Sequence, residues 1–191
     1  MVETAGIIAN IKRYVSLSSA EERAFLNILS TKELTKKEFL LQPGMVCRHQ
    51  TYVVEGCLRS FFIAADGSEQ TIQFAVKDWF ISDFNSYLTQ KPGHLYVEAI
   101  SPTTILQLER EATEALCQEY PIFDRYFKMT AQKAFAFAQN RMLSNLRDSA
   151  TDRYLAFHAR YPEIEAAVPQ YALASYLGMR PEFLSKIKKS L

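Results

Sequence analysis

Only three cysteines, Cys47, Cys57 and Cys117, occur in 191 residues, and no two form a CxxC pair. An odd number at such spacing matches neither a disulfide framework nor a zinc site, which leaves reduced thiols. No cysteine cluster stands near the N-terminus, so an iron–sulfur sensor is not expected. Histidine is equally scarce. His49, His94 and His158 lie far apart and never form an HxH pair, so the converging ligands of a metal-dependent enzyme are missing. His158 falls on a helix and reads as structural. There is no nucleophile elbow, P-loop or glycine-rich dinucleotide turn. An enzyme is therefore not expected, nor a cofactor or metal. No apolar run approaches the length of a membrane span, and the opening MVETAGIIANIKRY lacks the basic, apolar and small-residue order of a secretory signal. A soluble cytoplasmic protein with no membrane partner is the expectation.

What the chain does contain is unevenly distributed. Apolar residues make up 48%, enough for a packed core in one large or two small domains. The formal charge of +1 conceals an asymmetry: residues 1–124 carry 11 Lys and Arg against 16 Asp and Glu, whereas residues 125–191 carry 11 against 5. A basic end on an acidic body points to a nucleic-acid partner.

In chain order, residues 5–15 and 19–30 read as helices. Ser18 or Ser19 caps the second, Glu21 and Glu22 lie in its first turn, and Phe25, Leu26 and Leu29 face inward. From Thr35 the texture changes to short runs rich in Val, Ile, Phe and Tyr. They cover residues 38–42, 51–55, 58–64, 70–75, 94–100 and 104–109, separated by turn pairs such as Pro43-Gly44 and Pro92-Gly93. Asp66-Gly67 predicts a hairpin with positive φ at both positions. Strands this short and closely spaced predict a small antiparallel barrel or roll. Helical periodicity returns at residues 110–119. A long helix follows over about 122–146, free of Gly and Pro, with apolar residues on two faces. It must be covered on two sides. One side suits the roll. The other, with Phe127, Ala131, Ala134, Ala138 and Met142, suits either a second copy of the chain, the alanines permitting close approach, or further burial within one chain. Another helix is predicted over 149–161.

The final segment, VPQYALASYLGMRPEFLSKIKKSL, has the most specific spacing. Leu173, Leu177, Met179, Leu184 and Ile187 are apolar, Ala174 is small where two helices would cross, and Gly178 permits a positive φ in a turn. Pro181 suits the first turn of a second helix. These positions predict a helix-turn-helix with 170–177 as support helix and 181–189 as recognition helix. Arg180, Glu182, Ser185, Lys186, Lys188 and Lys189 are the candidate DNA-binding residues, through phosphate neutralisation and contacts to base edges. Arg180 is a poor helix cap beside Ser, Thr or Asp. A solvated face on an ordinary helical hairpin is the competing reading.

The order of roll, long helix and C-terminal helix-turn-helix resembles the Crp/Fnr family of bacterial transcription regulators. The likeness spans nearly the whole chain and is most specific in YVVEGCLRSFFIAADGSEQTIQFAVKDWF and from ATDRYLAF to ASYLGMRPEFLSKIKK. It implies an α+β fold: N-terminal helices and an antiparallel β-roll of the jelly-roll type, a long dimerisation helix and a C-terminal helix-turn-helix. The corresponding divisions are a sensor over 1–121, a dimerisation helix over 122–147 and a DNA-binding domain over 148–191. The resemblance further implies a homodimer reading a two-fold-symmetric operator in double-stranded DNA, with RNA polymerase a candidate partner.

The sensor departs from the family pattern. Nucleotide-binding members open a phosphate cassette with Gly-Glu and close it with an Arg followed by Ser or Thr. Here FISDFNSYLTQKPGHLYVEAI aligns Ser82 and Asp83 with the opening and Gly93 and His94 with the close. Asp83 stands where Glu would meet a ribose hydroxyl, and no Arg replaces the phosphate anchor. Lys91 and His94 are the only nearby cations. Ser82, Asp83, Lys91, Gly93 and His94 are thus the candidate effector residues; the roll is expected to hold not cyclic AMP but a hydrophobic or aromatic small molecule of unknown identity, or nothing at all. Phe61, Phe74, Phe80, Phe84, Tyr87 and Tyr96 either line a pocket or fill the core. The alternative function is a ligand-binding signalling module whose C-terminal helices contact protein in place of DNA.

Overall fold

The computed structural model describes residues 4–190. Two N-terminal helices, α1 (Ala5–Lys12) and α2 (Ser19–Asn27), precede strands β1 (Leu29–Leu34), β2 (Phe39–Leu41), β3 (His49–Glu55), β4 (Cys57–Ile63), β5 (Glu69–Val76) and β6 (Phe80–Ile81). A short helix α3 (Phe84–Thr89) is followed by β7 (Tyr96–Ala99) and β8 (Thr103–Glu109). The remainder is helical: α4 (Arg110–Glu119), α5 (Ile122–Arg147), α6 (Ala150–Arg160), α7 (Pro162–Ala167), α8 (Gln170–Tyr176) and α9 (Pro181–Lys189).

The strands form two four-stranded antiparallel sheets, ordered β1-β8-β3-β6 and β2-β7-β4-β5. Their inner faces enclose Leu34, Val53, Leu58, Ala75, Ile81, Val97 and Ile105, all buried. This is the expected roll. A second cluster joins α1, α2, α4 and the start of α5 to the outside of the first sheet, through Ile7, Ile11, Phe25, Leu106, Leu116 and Phe123. Phe25 and Phe123 stack there with ring centroids 5.3 Å apart.

Four local expectations need correction. Helix α2 ends at Asn27, and Leu29 and Ser30 open strand β1. The Ser18–Glu21 capping box starts the helix as expected, with Ser18 N–H donating to Glu21 at 2.6 Å. Strand β1 escapes detection because Ser30, Thr31, Lys32 and Glu33 are all exposed, so it lacks an apolar period. Its pairing with β8, from Leu29 opposite Leu108 to Leu34 opposite Thr103, defines it. At the β4–β5 hairpin only Gly67 has positive φ, +81°, and Ala64 N–H bonds to Ser68 O at 2.8 Å. That is a three-residue hairpin with glycine in the left-handed position, and Asp66 serves through its side chain, accepting from Ser68 N–H and Oγ–H. Helices α3 and α7 are too short, at six residues each, to show a helical period.

Helix α5 changes surroundings along its length. Phe123 and Tyr126 are fully buried, and Phe127 packs partly buried against the same cluster. Farther along, Phe137 packs edge-on against Trp79 of the roll at 5.9 Å. The opposite side is open: Ala131, Ala134 and Ala138 are exposed, with Phe135 70%, Met142 64% and Leu146 81% accessible. No described helix is long and apolar enough to cross a membrane.

Candidate nucleic-acid interface and effector cassette

The two terminal helices have the geometry their spacing demands. Leu173, Ala174, Leu177, Leu184 and Ile187 are buried in one cluster, with Met179 packed against it. Gly178 makes the turn at φ +66°, and Met179 N–H closes it onto Ala174 O at 3.0 Å. Gln170 at the start of α8 donates to Pro181 O at 3.1 Å, tying the first turns of the two helices. Arg153 of α6 fixes the turn from below. Its Nε donates to Leu177 O at 2.9 Å, and its Nη1 donates to Asp148 O at 2.7 Å, spanning the α5–α6 junction.

On α9, side chains advance about 100° per residue. Leu184 and Ile187 define the inner face, and Glu182, Lys186 and Lys189 are exposed on the outer one, with Arg180 exposed just before the helix and Ser185 half-buried. Lys188 departs from expectation. One residue after Ile187 and four after Leu184, it lies on the flank of the inner face and pairs with Glu165 of α7 at 2.6 Å. Tyr154 also donates to Glu165, at 2.9 Å, and His158 Nδ1 lies 2.6 Å from it. Burial opposes ionisation of Glu165, but the hydrogen bonds from Lys188, His158 and Tyr154 outweigh it and hold the carboxyl below its ordinary pKa. The same burial, aided by Glu165, pushes the Tyr154 hydroxyl up to about 12. Arg180 makes no side-chain cap on α9, whose first N–H groups are left without one.

The helical pair is docked on the roll by contacts that the sequence did not reveal. Thr71 N–H donates to Ser175 Oγ at 2.8 Å, and Ser175 returns a bond to Glu69 O at 2.7 Å. A side chain thus pairs with the outer edge of β5. Arg141 of α5 donates to the carbonyls of Thr71 and Tyr176, each at 3.0 Å, and to that of Ile72. Nearby, Arg59 is only 1% exposed, paired with Glu98 at 2.9 Å and with Glu69, and its guanidinium lies 3.9 Å over Phe61. Burial raises the Glu98 pKa against the pull of Arg59. These arginines carry no sequence signal, because their partners are backbone carbonyls and carboxylates distant in sequence.

In the cassette, Asp83 ties the opening of the segment to its close. Asp83 caps α3, its Oδ1 accepting from Ser86 N–H at 3.1 Å. Its Oδ2 accepts from His94 N–H at 3.1 Å and Leu95 N–H at 3.3 Å. A side chain on Gly93 would clash with that carboxylate. Ser82 Oγ is turned to the carbonyls of Ile81 and His49. Lys91 and His94 are both exposed. Asp83, 5% exposed, therefore fills with its own charge the position where three backbone N–H groups converge. The candidate aromatics disperse: Phe61 stacks on Tyr96 at 4.9 Å, Phe74 meets Tyr176, Phe80 meets Tyr52, and Phe84 meets Tyr87. They fall into four aromatic pairs, two of them between candidates. A hollow of about 440 Å³ beside His94, bounded by Pro43, Phe62, Ile63, Leu95 and Tyr96, lies outside the cluster between the sheets. Among the described residues no group of His, Cys, Asp and Glu could hold a metal ion.

Residues 31–120 match the family model of the cyclic nucleotide-binding domain. The chain as a whole has the fold of Crp/Fnr regulators. FixK2 from Bradyrhizobium japonicum is 21% identical with a TM-score of 0.73, covering 86% of this chain and 84% of its own. CLP from Xanthomonas campestris, a c-di-GMP responsive global regulator, is 15% identical with a TM-score of 0.72, covering 91% of each chain. A Eubacterium rectale protein assigned to the Crp/Fnr family of transcriptional regulators is 16% identical with a TM-score of 0.70, covering 91% of this chain and 83% of its own. No curated protein matches the sequence.

Proposed function

We propose that the chain is a DNA-binding transcriptional regulator that works as a homodimer, with residues 1–121 as sensor, 122–147 as dimerisation helix and 148–191 as DNA-binding domain. The observation that carries this reading is the open outer face of α9. Arg180, Glu182, Lys186 and Lys189 stand free of the chain's own core while the helix is held at both ends by buried apolar contacts. Such a helix can enter a major groove and meet both phosphates and base edges. The exposed Ala131, Ala134, Phe135, Ala138, Met142 and Leu146 of α5 support a two-fold seam, since an apolar stripe of this length is costly in water.

The roll does not take cyclic AMP in this reading. Asp83 already satisfies the converging N–H groups, and a second anion there would meet its charge at close range. The test is fluorescence anisotropy of the purified protein with random-sequence duplex DNA across a salt series. Binding that weakens linearly in log salt supports the regulator. No binding at low salt would sink it in favour of a module whose terminal helices contact protein.

A further inference from the structure

Helix α9 carries an aromatic residue that its fold does not use. Leu184 and Ile187, the other apolar side chains of the helix, are 0% and 5% exposed. Phe183 is 46% exposed. It belongs to none of the three buried clusters and makes no aromatic pair among the described residues. Its place on the helix is specific. Counting about 100° per residue, it falls between the inner face and Lys186, on the flank opposite Lys188. The Lys188 flank is closed by Glu165 of α7, and the Phe183 flank is the side away from that ion pair. Phe183 also lies in the first turn, beside Glu182, at the end of a recognition helix that goes deepest into a groove.

We infer that Phe183 is a specificity-determining residue that reads a thymine through its C5 methyl group. This deepens the DNA-binding reading and rests on it. Thymine is the one base that presents an apolar group in the major groove, and a phenyl ring is a suitable contact for it. The neighbouring Glu182 supplies an acceptor and Lys186 a donor, so the first turns of α9 would read an apolar group beside polar base edges. Desolvating the methyl against the ring favours thymine over cytosine at one position of each half-site. The ring's own exposed surface is removed from water in the same step.

The test separates this contact from DNA binding itself. An operator is selected from randomised duplexes with the wild-type protein. Each thymine is then replaced in turn by deoxyuridine, which deletes the methyl and leaves the base-pairing edge unchanged. At one symmetric position the wild-type protein is expected to lose about fourfold in affinity per methyl removed. Phe183→Ala is expected to bind the two operators equally, so the effects are coupled and not additive. Phe183→Leu, which keeps an apolar side chain, should retain part of the preference. Uniform indifference of the wild type to deoxyuridine overturns the inference and leaves DNA binding intact. The same holds if Phe183→Ala keeps full methyl sensitivity, or if its main effect is a weakened dimer in sedimentation. Failure to retain any duplex at low salt overturns the DNA-binding reading, and this inference with it.

Discussion

Arg141 engages Tyr176 twice, donating to its carbonyl at 3.0 Å and lying 4.0 Å over its ring. Through the same guanidinium it holds Thr71 and Ile72, so one side chain joins the long helix, the edge of the roll and the support helix. Replacement by alanine leaves several carbonyls without their partner at a partly buried junction. Arg141→Ala is expected to cost about 3 kcal/mol in urea unfolding. Hydrogen exchange should show the loss concentrated at β5 and α8. A variant as stable as wild type would mean that water replaces the guanidinium without penalty.

The helical end of this fold was legible, and the junction was not. Pro181, Gly178 and the Leu184–Ile187 spacing delimit α9 because each constrains backbone or burial locally. The length of α5 could be read from its lack of Gly and Pro. Ser175 and Arg141 could not be found in this way. Their bonds reach Glu69 and Thr71, 106 and 70 residues away, and end on backbone atoms that no side-chain pattern advertises. Asp83 was recognised as a cassette residue, but its role as the group that closes the cassette depends on where the His94 and Leu95 amides fall. Strand β1 was hidden because an edge strand exposed on both faces has no period-two signal.

Association along α5 is tested by Ala134→Glu. The exposed alanine stripe is the closest-approaching surface of the proposed seam, and two like charges there repel across the two-fold axis. Wild type should sediment as a dimer at micromolar concentration and the variant largely as monomer, with little change in thermal unfolding of the roll. A monomeric wild type would refute the seam.

Asp83 is expected to matter for stability and not for nucleotide binding. Cyclic AMP at millimolar concentration should leave the melting temperature unchanged, because a ligand stabilises only a site that it occupies. Asp83→Ala should cost about 1–3 kcal/mol, since the amides of Ser86, His94 and Leu95 lose their acceptor, the first of them buried. A clear thermal shift with the nucleotide in wild type would show that the cassette opens.

Glu165 gives the C-terminal helical end a pH dependence of known sign. Its carboxyl pKa lies below the ordinary glutamate range in the folded protein, where burial is outweighed by the hydrogen bonds from Lys188, His158 and Tyr154. The stabilisation it confers is therefore fully present above the unfolded value and is lost as pH falls through the folded one. Glu165→Gln should flatten the acid limb of the stability curve for residues 148–190, followed by tyrosine fluorescence or exchange. An unchanged acid limb would mean that Lys188, His158 and Tyr154 gain nothing from the charge.

In the proposed docking on DNA, the outer face of α9 divides into groups that would read and groups that would hold. Glu182 lies in the first turn, where a recognition helix meets base edges, and its carboxylate can accept from a cytosine amino group. Lys189 lies in the last turn and is exposed, so the same docking would leave it only backbone phosphate. Lys188 is paired with Glu165 and would take neither role while that pair is closed. Glu182→Ala should relax base preference at one position per half-site, a loss of about 1–3 kcal/mol in discrimination. Lys189→Ala should weaken every duplex about equally and reduce the salt slope by about 0.9 for each lysine removed, hence nearly two units for a dimer. Lys188→Ala should leave the salt slope unchanged and lower thermal stability, the opposite pattern. Selection of randomised duplexes against each variant, with anisotropy at four salt concentrations, distinguishes the three. An unaltered motif from Glu182→Ala would place the reading edge of the helix elsewhere, and a shallower salt slope from Lys188→Ala would show that the Glu165 pair opens on DNA.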